Sequence, residues 1–185
     1  MKVLRKLNVV DIGVLTVLLV MVVLPPRQMY ARAALPVDDA ARFAMAVAEA
    51  RTIAHPKDGV ATADLARRLG EAAQKDWAIE AAVAGAKAAK GSPTEWKALL
   101  AASIAYVDRI DVVPALDFAN RALTTCRGLQ TGCPSWEDVR MSLYQQHLDA
   151  GIKSGIDPKL DPEGFREAGE RALRPIRLNS EPLTK

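Results

Sequence analysis

At 185 residues the chain has room for one domain and an appendage. Half of it is apolar but only 5% is aromatic. The apolar share leans on alanine, the best intrinsic helix former, and no period-two run of β-branched residues argues for a sheet. An all-α fold follows, and a net charge of +3, with Lys and Arg interspersed among Asp and Glu, speaks against a nucleic-acid binder.

Residues 1–27 read as a signal-anchor, a single N-terminal transmembrane helix. Lys2, Arg5 and Lys6 make a basic start, an apolar run follows from Ile12 to Leu24, and Pro25, Pro26 and Arg27 close it. Counted from Leu7 to Leu24 the helix would span about 27 Å at roughly 1.5 Å per residue, just adequate for a hydrocarbon core about 30 Å thick. Leu7, Ile12, Leu15, Leu18, Leu19, Val22 and Leu24 would face lipid, and Asp11 would lie near the cytoplasmic end, where it can reach water. A basic end held in the cytoplasm sends the rest of the chain across a bacterial cytoplasmic membrane, leaving a single-pass protein with its C-terminal domain in the periplasm. The alternative is a cleaved signal peptide, with Ala31-Arg32-Ala33 as the A-x-A site, although that site lies well beyond Leu24. Both readings put the globular part outside the cytoplasm.

Residues 28–37 read as a linker, and 38–175 as the helical domain. A leading helix over 38–55 begins at Asp38 and Asp39, which suit the positive end of the helix dipole. It presents Phe43, Val47 and Ala50 on one face and ends at Pro56 and Gly59. A hairpin over 62–90 follows, with Thr62 or Asp64 as cap and Leu65, Ala66, Leu69 and Ala73 as the buried face. Its turn falls near Lys75-Asp76, its second helix starts at Trp77, and Gly91-Ser92-Pro93 closes it. A second hairpin covers 94–126: Leu99, Ala102 and Tyr106 face the neighbouring helix, Ile110-Asp111 turns the chain, and Pro114 sits in the first turn of the return helix. A third pair over 135–174 opens with Trp136, Val139 and Leu143 on one face. A loop with Gly151, Gly155, Pro158 and Pro162 then leads to Phe165, Ala168 and Ala172. Pro175 ends regular structure, and 176–185 read as a tail.

The first two hairpins repeat each other. Leu69, Gly70, Ala73, Ala82, Ala86 and Ala89, shifted by 33 positions, become Ala102, Ser103, Tyr106, Ala115, Ala119 and Ala122. Small residues recurring at a period near 34 resemble the tetratricopeptide (TPR-like) helical repeat, an α-solenoid of helical hairpins. The resemblance implies a module that binds proteins along a groove lined by the first helix of each pair. Matched groove positions are Arg67, Glu71 and Gln74 in the first pair, then Lys97, Leu100, Ile104 and Asp108 in the second, and Glu137, Met141 and Tyr144 in the third. The family's clamp for a peptide carboxylate is not met. Leu100, Ile104, Met141 and Tyr144 together would make an apolar patch suited to a helix or an extended peptide.

Cys126 and Cys133 are the two cysteines, and in an exported domain an even count favours a disulfide, with free thiols as the alternative. Gly128, Gly132 and Pro134 let the intervening loop bend back. His55 and His147 belong to no nucleophile, metal-ligand or acid–base arrangement, and there is no Gly-rich phosphate loop. No catalytic site, metal or cofactor is expected. The expected function is a membrane-anchored extracytoplasmic scaffold or adaptor that binds protein partners at the membrane. A structural accessory subunit of a larger membrane complex and a released periplasmic binding protein are the alternatives.

Overall fold

A computed structural model of the chain describes residues 39–178. The described residues form seven α-helices and no strand: α1 Asp39–Ala54, α2 Gly59–Glu71, α3 Lys75–Ala88, α4 Glu95–Asp108, α5 Val112–Arg127, α6 Ser135–Lys153 and α7 Pro162–Leu178. Each helix packs on the one that follows it in sequence, and α2 also packs directly on α4. None of the helices is long and apolar enough to cross a membrane. The expected anchor at 1–27 and linker at 28–37 lie outside the described residues, as does most of the expected tail.

Alanine builds the core. Ala82, Ala89, Ala102, Ala115 and Ala122 are wholly buried, as are Leu69 and Ser103. Side chains this small bring helix backbones close together, and larger residues such as Leu69 and Leu99 each add about 1.5–3 kcal/mol of transfer free energy on burial. Two turns are built alike. After α2, Ala73 N–H bonds the Gly70 carbonyl and Gln74 N–H reaches back to that of Leu69. After α4, Ile110 N–H bonds the Val107 carbonyl and Asp111 N–H that of Tyr106. In both, a residue with a side chain holds the left-handed position that favours glycine, Ala73 at φ 58° and Ile110 at φ 65°.

Several expected faces are rotated. Phe43, Val47 and Ala50 point outward, Phe43 at 73% exposure, while α1 buries Met45, Ala48 and Glu49 on a neighbouring face. In so alanine-rich a helix two adjacent stripes are almost equally apolar, and unbranched Met45 fits the gap against α2. Likewise α6 turns Trp136 (64% exposed) and Val139 outward and buries Glu137, Met141, Leu148 and Gly151. Gly151 is not in a loop but inside α6, where the Phe165 ring of α7 approaches so closely that a Cβ would lie 2.5 Å from it. Ala73 is exposed in its turn rather than buried.

Boundaries shift for local reasons. Gly59 opens α2 instead of ending α1, because its backbone lies against the Thr94 backbone and leaves no room for a Cβ. Asp58 caps α2 by accepting a hydrogen bond from Val60 N–H at 2.9 Å, and Thr62 is instead fully buried. Lys75 and Asp76 begin α3 rather than turning before it. Pro162 begins α7, where its missing N–H costs nothing, and α7 continues past Pro175 to Leu178.

Candidate protein-binding groove

α2 and α4 run side by side in the same direction. Gly59 N–H, at the start of α2, donates to Thr94 Oγ1 at the start of α4, 2.9 Å away. At their far ends Gly70 faces the Asp108 carboxylate. α6 joins them at the leading end: Met141 packs with Trp96 and Leu100 in one apolar cluster, and Tyr144 shares a 3.2 Å hydrogen bond with Ser103. Burial pushes the Tyr144 phenol up, an effect the Ser103 contact partly opposes and Asp108 reinforces. The phenol therefore stays neutral and holds α6 against α4.

The disulfide sets where α6 begins. Cys126, wholly buried at the end of α5, is bonded to Cys133, with Cα atoms 4.9 Å apart. Just beyond, Arg127 pairs with Asp138 and donates to Ser142 Oγ at 2.9 Å. The hydrogen bond from Arg127 holds the Asp138 carboxyl below the ordinary aspartate range. These links bring Glu137 and Arg140, in the first turns of α6, to the end of a groove between α2 and α4.

That groove has a volume of about 800 Å³. Its floor is Ala63, Ala66, Leu100, Ala101 and Ala105, with Val60, Trp96 and Ile104 along its sides. Its charged rim is largely self-paired. Arg67 bridges Asp64 (2.8 Å) and Glu71, Arg68 also holds Asp64 (3.1 Å), and Arg140 pairs with Glu137 (2.8 Å). Burial alone would push Asp64 up, but hydrogen bonds from Arg67 and Arg68 more than offset it, so its carboxyl lies below the usual range. Lys97 rests over the Trp96 ring, 5.2 Å from its centroid.

Seven of the ten residues chosen from sequence line this groove: Arg67, Glu71, Lys97, Leu100, Ile104, Asp108 and Glu137. Gln74 does not, because it sits in the tight turn before α3. Met141 (2% exposed) and Tyr144 lie behind the wall and Leu100 is itself only 8% exposed, so of the expected apolar patch Ile104 alone stands open. Sequence reasoning missed Asp64, Trp96, Arg140 and the alanines of the floor. Their signal was available, since Asp64 and Arg140 stand one helical turn from residues that were chosen. His55 follows α1 and the His147 ring packs on Gly169 of α7, both away from the groove. Comparison with protein-family models, with curated proteins and with solved structures finds no match to this chain.

Proposed function

We propose that the chain is a membrane-anchored scaffold of the cell envelope, in which a TPR-like stack of helical hairpins docks a protein partner outside the cytoplasm. One observation carries this reading. The first helices of successive hairpins, α2 and α4, line a single concave groove with an apolar floor, and α6 reaches its end. An apolar floor within a charged rim supports a docking role. The basic start and apolar run before Leu24 supply the anchor, and confinement to a membrane raises the effective concentration of a partner held there.

A photo-crosslinking residue at position 104, in the full chain in its native membrane, tests the docking surface. Crosslinks to a protein partner there, lost on Leu100→Glu, are expected; their absence would sink the groove as the site. A second reading, a structural subunit of a larger membrane complex, draws on apolar side chains exposed away from the groove, Phe43 and Val47 on α1 and Val113 on α5. Crosslinks from position 43 or 113 without any from 104 would favour it. Intact mass of the membrane-bound protein tests the anchor: a full-length mass supports it, whereas a soluble form starting near Ala34 makes the protein a released one.

A further inference from the structure

We propose that the groove selects an amphipathic helix carrying charges of opposite sign at its two ends, about three helical turns apart. The inference rests on the docking role proposed above and gives the chemistry of the occupant. The walls argue for a helix. Both are helices whose backbone groups are bonded within themselves, so they offer no main-chain ladder to an extended peptide. A helix brings its own hydrogen bonds and needs only a face to bury. Val60, Ala63, Ala66 and Gly70 along α2 leave room for such an approach, and Leu100 and Ile104, one turn apart on α4, match the spacing of its apolar face.

The groove is bipolar. At the end where α2 and α4 begin, Lys97 and Arg140 against Glu137 leave one net positive charge. Toward the end where they finish, Arg67 and Arg68 are taken up by Asp64 and Glu71, which leaves the Asp108 carboxylate on the rim without an ion pair among the described residues. Arg140 is matched by Glu137 and Arg67 by two carboxylates, while Lys97 and Asp108 make no ion pair among the described residues. Lys97 and Asp108 lie about 16 Å apart along α4 at 1.5 Å per residue. A bound helix with an acidic side chain over Lys97 and a basic one over Asp108, about eleven positions apart, satisfies both.

The test uses the full chain in nanodiscs, with empty discs as the control for lipid binding. Three fluorescent peptides of about fifteen residues share one Leu/Ala face and carry Glu and Lys, two Lys, or two Glu at positions eleven apart. At low salt the Glu/Lys probe is expected to bind about fivefold more tightly than either like-charged probe, the order of an exposed ion pair. Lys97→Glu should shift the preference to the two-Lys probe, and adding Asp108→Lys should return it to the Glu/Lys probe, now seated in the opposite direction. Equal affinity for all three, abolished by Ile104→Glu, overturns the charge pattern and leaves the groove as a docking site. Absence of binding, or binding indifferent to Ile104→Glu, overturns both.

Discussion

Thr62 of α2 stands against the bare α-carbon of Gly85 in α3, so closely that a Cβ on that glycine would overlap both the methyl and the hydroxyl of Thr62. The contact fixes the spacing of the first hairpin. Gly85→Ala would gain about 1 kcal/mol of helix propensity. The clash should outweigh that gain and leave the variant less stable by about 1–2 kcal/mol net. Adding Thr62→Ala should recover much of the loss, which a double-mutant cycle by urea denaturation would read as a coupling of about 1 kcal/mol. Strict additivity would show that the two side chains do not share this space.

The Thr62 hydroxyl is buried without a hydrogen-bond partner among the described residues. Thr62→Val keeps the shape and removes the unmet polar atom. It should leave stability unchanged or raise it by up to about 1 kcal/mol, measured as a shift in denaturation midpoint at constant slope. A substantial loss would mean that the hydroxyl is satisfied after all.

Ala73 occupies a left-handed backbone position with an exposed side chain. Ala73→Gly should therefore stabilise the chain, by about 1 kcal/mol, since the strain of a Cβ there disappears and no packing is lost. Ile110 bears the same strain at φ 65° and is likewise exposed, at 38%, but its larger side chain gives up more covered area on removal, so Ile110→Gly should show a smaller gain or none. Thermal unfolding of the two variants side by side checks the order.

Closing the loop between Cys126 and Cys133 should contribute about 2.5 kcal/mol through the unfolded chain. A Cys126→Ala/Cys133→Ala variant should lose about that much and should show faster amide exchange at the start of α6. An equal denaturation midpoint with and without reductant would remove the disulfide from the account.

Acid should loosen the chain at three aspartates. The carboxyls of Asp138 and Asp111 are held down by hydrogen bonds from Arg127 and Arg109, and that of Asp64 by Arg67 and Arg68 against the opposing effect of burial. Groups lowered on folding stabilise fully above the ordinary aspartate value of 3.8 and lose that contribution as pH falls through their folded values. Stability should thus be flat in these three groups above about pH 5 and decline below about pH 4. Asp138→Asn should remove part of the acid-side slope, and an unaltered slope would discount the Arg127 pair.

The helices were legible because alanine is a strong helix former and Gly, Pro and Asp punctuate the chain. The groove was legible in α2 and α4, where Arg67 and Glu71, and Leu100 and Ile104, stand a turn apart on the face opposite Leu69 and Ala102. It was not legible in α6. There the disulfide was legible, but the burial of Met141 and Glu137 depends also on the Arg127–Asp138 pair and on the Gly151–Phe165 contact with α7, which carry no local pattern. The same limit applies to α1. Its two apolar stripes lie side by side, and only the shape of α2 chooses Met45 over Phe43.

The two ends of the groove are built from different materials. At Gly59 and Thr94 main chain meets main chain, with a hydrogen bond between the two residues. At Gly70 and Asp108 the separation is kept by a carboxylate on rotatable bonds. The first contact yields only if a helix itself moves; the second yields when a side chain swings. A side chain added at Gly59 would therefore have to push the two helices apart, whereas one added at Gly70 would ask only that the Asp108 carboxylate turn aside.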